Sequence, residues 1–244
     1  MENLRELCRA LYDAGFPEES DAFREALFDL AFPRYLRVIR EGEQPVSMLF
    51  SIPYEVIDRN ERVSEARYLY AVVTHPDFRG RGLARQLLRA EMARGVPLFL
   101  RPMSPSLFPF YESVGLLPFS SHEETKGEAT APLDGVCALD AGEYLALRRR
   151  LLPRPLCQPT AEFLSLHFLF GGAVAVGEST AALYEKNGDT VFFKEWIGDP
   201  KDAPRVAAFL GAERYRMRIM AKNGTPFGVQ HGMPADAHFL LALD

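Results

Sequence analysis

Six consecutive residues, Arg79-Gly80-Arg81-Gly82-Leu83-Ala84, have the makings of an anion site. They follow the apolar run 68–74, YLYAVVT, whose β-branched and aromatic residues predict a buried strand. His75-Pro76-Asp77 ends that strand, because proline brings no N–H to a ladder. After the turn comes a helix pattern: Leu83, Ala84, Leu87, Leu88 and Met92 share one side, Arg85, Gln86 and Arg89 the other, and Glu91 breaks the pattern late. Gly95 stands where a C-terminal cap would. The first turn of a helix carries N–H groups without intrahelical partners and partial positive charge. Gly80 and Gly82 remove side chains where a diphosphate must approach the backbone, and Arg79 and Arg81 add mobile positive charge. A phosphate turn of another nucleotide-binding kind would bring G-K-[ST], or an acidic residue placed for a ribose, and the sequence has neither.

Residues 75–88, HPDFRGRGLARQLL, resemble the acetyl-CoA signature R/Q-x-x-G-x-G/A of the GNAT (Gcn5-related) N-acetyltransferases, with Arg79, Gly82 and Ala84 in the fixed positions. The segment 110–116, FYESVGL, is similar to the family's F-Y-E-x-x-G-F, and the spacing between the two is the family's. The likeness covers residues 34–120 and, more loosely, the N-terminal helices. It implies the GNAT acyl-CoA N-acyltransferase fold, an α/β (α+β) mixed sheet in which two parallel strands splay and acetyl-pantetheine lies in the gap. It further implies that main-chain groups of Val72, Val73 and Thr74 hold the pantetheine. The N–H groups from Arg79 through Gly80, Arg81, Gly82 and Leu83 to Ala84 would hold the diphosphate. A backbone N–H near Val73 would polarise the thioester carbonyl. Thr74 replaces the family's usual valine, which a main-chain contact tolerates.

Acetyl transfer also needs a proton for the leaving thiolate and a place for the amine's proton. Tyr111, in the FYESVGL segment, is the implied acid, set against a plain packing role in the cofactor wall. Ser104, with Ser106 nearby, occupies about the position of a cofactor-contacting asparagine in the family. The base is open. Tyr68 stands where some members have a glutamate, Glu55 is a substitute set against a solvated strand end, and an amine needs only a small deprotonated fraction. His75 belongs to the strand end. His122, His167, His231 and His238 are unclustered, so no metal site is expected.

Elements that must position these residues follow from periodicity. Leu4, Leu7, Cys8 and Leu11 predict a helix over 2–13, and Phe23, Ala26, Leu27 and Leu30 a second over 18–31. Glu18, Glu19 and Asp21 read as an acidic first turn matching the helix dipole, in preference to a substrate loop. Strands are predicted at 35–39 and 46–50, the latter bent at Pro53, then 97–100, a helix over 104–114 and a strand from 116 to 119. Residues 121–133 are polar and aperiodic and predict a loop or linker. Asp140 predicts a helix cap, and Arg148-Arg149-Arg150 a solvated run closing that helix. Beyond Pro153, Pro155 and Pro159, strands at 180–185 and 190–196 flank Asn187-Gly188. A helix over 199–210 and short strands at 214–220, 226–230 and 238–243 complete the pattern.

The chain has 244 residues and a formal net charge of −5, which argues against nucleic acid as the main partner. Its three cysteines are widely spaced, without C-x-x-C, and read as reduced thiols of a cytoplasmic protein; no stretch has the length of a membrane span. Two units are expected: a GNAT acetyl-CoA-binding catalytic domain over 1–133, and a smaller accessory α+β domain over 134–244. The second partly echoes the first in strand order, which reads either as a degenerate GNAT-like half or as an unrelated accessory α+β domain, and it has no R-x-x-G-x-G. The expected function is acetyl-CoA-dependent N-acetylation of a small-molecule or peptide amine, with polyamines, aminoglycosides, amino acids, peptide N-termini and protein lysines all open. A non-catalytic acyl-CoA-binding sensor or interaction module is the alternative.

Overall fold

The computed structural model describes residues 2–234 and 236–243. Helices α1 (Glu2–Gly15) and α2 (Asp21–Ala31) open the chain and bury Cys8, Leu11, Tyr12, Phe23, Leu27 and Phe28. Ser20 caps α2 by accepting from the Phe23 N–H, a contact of about 1 kcal/mol. Strands β1 (Leu36–Glu41), β2 (Gln44–Ile57) and β3 (Val63–Thr74) form an antiparallel meander. Helix α3 (Leu83–Met92) carries the chain to β4 (Leu98–Leu100), which runs parallel to β3. Then come α4 (Phe108–Val114), β5 (Leu117–Glu128), β6 (Val136–Leu139), α5 (Ala141–Leu151) and β7 (Leu156–Pro159). Helix α6 (Ala161–Leu164) leads to β8 (Gly171–Val176), β9 (Thr180–Asn187) and β10 (Thr190–Ile197). Finally α7 (Ala203–Phe209) precedes β11 (Arg214–Met220) and β12 (Thr225–His231).

All twelve strands among the described residues lie in one mixed sheet, ordered β1-β2-β3-β4-β12-β5-β11-β10-β9-β8-β6, with β7 pairing β2 off this path. The order contains the same five-strand pattern twice. In one half β1, β2 and β3 are antiparallel, α3 crosses over, and β4 is parallel to β3; in the other, β8, β9, β10, α7 and β11 repeat that plan. The fifth position of each half is filled by the other half's strand. β12 lies against β4 and β5 against β11, and β5 and β12 pair antiparallel at the centre. Position 133/134 therefore falls in a connection between two strands of one continuous sheet, and the first half's strand edge at β4 is covered from residues 225–231.

Four local expectations are corrected. Residues 121–128, expected as loop, are the second half of β5. Their charged side chains pair across the ladder, as Glu124 does with Arg216 at 2.8 Å, so the strand has no apolar alternation to read. Residues 238–243 form no strand: only the bridge between Leu156 and His238 is made, and the segment is held by burial of Phe239, Leu240, Leu241 and Leu243. Arg148 is fully buried on α5 against Glu195, while Arg149 and Arg150 are the solvated ones. Glu91 is buried too, accepting from Arg37 Nε at 2.7 Å and Ser51 Oγ at 2.5 Å. Among the described residues no helix is long and apolar enough to cross a membrane.

Candidate active site

β3 and β4 pair only through Arg67 with Leu98 and Tyr68 with Phe99. Beyond those residues the strands separate, and a cavity of about 600 Å³ opens between 69–74 and 100–103. Its wall carries a bulge. Between the pairs Met48–Val73 and Phe50–Tyr70, the two residues Ala71 and Val72 face the single Leu49. Ala71 has φ of 55°, a left-handed conformation costing a non-glycine residue about 1–2 kcal/mol. A bulge leaves a residue outside the ladder, which frees main-chain polar groups for other partners. Strain of this kind clusters where backbone must be aimed. Gly15 of α1 closes one side: a Cβ there would lie 2.5 Å from Val73 Cγ2.

The Arg79–Ala84 turn opens α3 as expected. Gly80 and Gly82 have φ of 77° and 75°, and a Cβ at either would meet no atom within 4 Å. No side chain caps this terminus and no acid stands in its first turn. Arg81 stacks on Phe78 at 4.6 Å and bonds Glu41 at 3.2 Å, and Arg79 Nε donates to the Thr74 carbonyl at 3.3 Å. Arg85 donates to Ser113, tying the turn to α4. The hollow around this turn, about 390 Å³, shares Thr74 and Arg79 with the main cavity. An uncapped helix start, two open glycine positions and a guanidinium-rich rim suit a diphosphate.

The matching place in the other half is closed. Between β10 and α7 the Asp199 carboxylate accepts from the Lys201 N–H at 3.0 Å, and the Asp199 carbonyl accepts from Trp196 Nε1 at 3.2 Å. Pro200 and Pro204 bring no N–H. A Cβ on Gly198 would strike Thr180 Oγ1 at 2.4 Å. Both halves cap a proline-led turn in the same way, Asp77 N–H on His75 and Lys201 N–H on Asp199, but in the second half that turn runs straight into α7 with no counterpart of the Gly80 and Gly82 segment.

Tyr111, on α4, lines the main cavity with 6% of its surface exposed. Burial pushes its phenol up to about 12, so it stays protonated at neutral pH. Val72, Val73 and Thr74 line the same cavity, and Ser47 accepts or donates at Thr74 Oγ1, 2.9 Å away. Ser104 lies apart. It starts the turn before α4, its hydroxyl 2.8 Å from that of Ser106, and lines neither hollow. Tyr68 is packed among Tyr54, Phe99 and Phe239, and Glu55 pairs with Gln158 on β7; neither reaches the cavity.

Glu19 departs from the acidic first turn expected of it. Asp21 is the acidic first-turn residue of α2, but Glu19 precedes the cap and faces the cavity. Tyr70 Oη donates to Glu19 Oε1 at 3.2 Å and lies 3.3 Å from Tyr12 Oη. Arg24 pins the loop by donating to the Pro17 carbonyl at 3.1 Å and pairing with Asp13 at 3.4 Å. Burial, the largest influence, raises the Glu19 carboxyl above its ordinary value. Local sequence held no signal for this, because the partner tyrosine is on β3. Glu19 and Leu243 also border a smaller cavity of about 240 Å³. A larger hollow of about 750 Å³, around Asp189 and Arg214, is an open groove containing none of the candidate residues.

Residues 3–117 match the family described as acetyltransferase (GNAT) domain. No curated protein matches the chain. Among solved structures, a conserved protein of unknown function from Enterococcus faecalis V583, described as a probable N-acyltransferase, is 14% identical with a TM-score of 0.66, over 94% of this chain and 70% of that one. A GCN5-related N-acetyltransferase from Anabaena variabilis ATCC 29413 is 11% identical with a TM-score of 0.71, over 94% and 70%. Another from Kribbella flavida is 12% identical with a TM-score of 0.66, over 94% and 67%. At these identities the likeness is one of fold.

Proposed function

We propose, from the premise that residues 3–117 are a GNAT acetyltransferase domain, that the chain is an acetyl-CoA-dependent N-acetyltransferase acting on a primary amine. The observation that carries this is that the main cavity shares lining residues with each of two other hollows. The anion turn joins the main cavity at Thr74 and Arg79, and the main cavity has a second border at Glu19 and Leu243. A two-substrate transfer needs such an arrangement, with cofactor and acceptor arriving from opposite sides of the reacting carbon.

In this reading Arg79, Gly80, Arg81, Gly82, Leu83 and Ala84 hold the diphosphate of acetyl-CoA, and the backbone of Val72, Val73 and Thr74 holds the pantetheine. The Ala71–Val72 bulge aims N–H at the thioester oxygen, where negative charge grows in the transition state. The amine nitrogen attacks the carbonyl carbon, the C–S bond breaks, and Tyr111 Oη gives its proton to the thiolate. Ser104 would act only from the rim, beside Met103. Residues 134–244 are then a degenerate GNAT-like accessory unit whose own turn is shut. The three free cysteines, two of them buried, suit a cytoplasmic setting.

Release of CoA thiol from acetyl-CoA, followed with a thiol reagent while primary amines are added, tests the reading. Amine-dependent release is expected. Acetyl-CoA binding with no release for any amine would favour the sensor alternative.

A further inference from the structure

We infer that Glu19 takes the proton of the acceptor amine and that the smaller cavity beyond it admits a compact primary amine on an apolar body. This rests on the acetyltransferase reading and adds the missing base and the acceptor class. Glu19 is the only carboxylate among the described residues that borders both the Tyr111 cavity and the smaller one. A carboxylate at that junction meets an incoming ammonium before the thioester does. Its position is fixed from three sides: Tyr70 donates to it, Tyr12 stands behind Tyr70, and Arg24 holds its loop.

The smaller cavity sets the acceptor class. Phe23, Leu166 and Phe170 supply apolar wall, and Glu18, Glu19 and Glu185 supply carboxylates, with Lys194 held to Glu185 at 2.6 Å. Three carboxylates against one lysine leave an excess of two negative charges, so a cation is favoured over an anion. A volume of about 240 Å³ suits an alkylamine or arylalkylamine and leaves no room for a folded protein's backbone around a lysine.

The protons balance. The ammonium gives one to Glu19 and the free amine attacks. As the C–S bond breaks, the thiolate takes the Tyr111 proton, and the second nitrogen proton restores the phenol. Glu19 releases its proton to solvent, so amide, CoA thiol and one proton are formed. Burial raises the Glu19 carboxyl, the Tyr70 hydrogen bond, Lys194 and Arg24 lower it, and Glu185 raises it, leaving it a stronger proton acceptor than an exposed glutamate.

The test uses the full chain with acetyl-CoA and phenethylamine, putrescine or a lysine-containing peptide as acceptors. Phenethylamine should be acetylated and the peptide should not. Glu19→Gln should lower kcat at neutral pH by about 100-fold or more, with recovery as pH rises and the amine deprotonates unaided, at unchanged acetyl-CoA affinity. Tyr70→Phe keeps the ring and removes a contact that lowers the Glu19 carboxyl, so the acid limb of kcat/KM should move to higher pH. This shift stays measurable even if the glutamine variant misfolds. Glu19→Gln with unchanged kcat and pH profile, or an unmoved acid limb in Tyr70→Phe, overturns the assignment of the base. A wild type that binds acetyl-CoA but leaves phenethylamine unacetylated, or acetylates the peptide as readily as phenethylamine, overturns the acceptor class. Failure to bind acetyl-CoA at all removes the acetyltransferase reading itself.

Discussion

Arg148 lies along the carboxylate of Glu195, Nε 2.6 Å from Oε2 and Nη2 2.9 Å from Oε1, with both side chains fully buried. Tyr144 donates to the same carboxylate at 2.7 Å, and Arg148 Nη1 reaches the Cys157 carbonyl at 2.8 Å. The pair thereby ties α5 and β10 to β7, which is paired with β2 of the first half. Arg148→Met should destabilise the fold by about 3–5 kcal/mol, because it leaves a buried carboxylate uncompensated. Arg148→Met with Glu195→Leu should recover much of that loss. Urea unfolding of the three chains measures both, and additive losses would show that the two groups are not coupled.

Acid sensitivity should come from the same cluster. His238 Nε2 lies 3.8 Å from Glu195 Oε1, and burial drops its imidazole from 6.5 to about 4. Between those values the unfolded chain binds the proton and the folded chain does not, so stability falls as pH falls. Glu195, held down by Arg148, adds its own loss only as pH falls through its lowered value. A His238→Gln variant should melt with a flatter pH dependence across that window than wild type. Parallel curves would place the sensitivity elsewhere.

A chain ending at Leu133 loses β12, the strand between β4 and β5. It should not melt cooperatively or respond to acetyl-CoA, since β4 keeps only its short pairing with β3. Cooperative melting with an acetyl-CoA shift would show that the first half closes its sheet without β12.

Features made by neighbours in sequence were legible: the β3-turn-α3 unit, the place of Tyr111 on α4, and the Asp140 cap, whose capping box with Glu143 is complete. Features made across the sheet were not. No pattern in 225–231 names β4 as its partner, and Glu19 acquires its setting from Tyr70. Arg148 shares a helix face with buried Tyr144, but among three arginines the inward one is singled out by Glu195 on β10. The Ala71 bulge was hidden for another reason, since alanine is an unremarked residue inside an apolar strand.

Tyr111→Phe keeps the ring in the cavity wall and removes the proton donor. kcat should fall by about 100-fold with acetyl-CoA affinity unchanged, the mark of a contact made mainly in the transition state. With the phenol held near 12, no alkaline loss of activity from this group is expected at ordinary working pH. If affinity falls and turnover stays, Tyr111 is wall packing.

Placement of acetyl-CoA at the Arg79–Ala84 turn is tested most directly by calorimetric titration of wild type, Gly82→Asp and Gly82→Asn. Asp and Asn differ in charge but tolerate the left-handed conformation alike, and a Cβ at 82 has open space. One acetyl-CoA per chain is expected for wild type, weakened binding for Gly82→Asn and none for Gly82→Asp, with the two variants melting alike, and below wild type, in the absence of ligand. Undiminished binding by Gly82→Asp, or two acetyl-CoA molecules per wild-type chain, would contradict this placement.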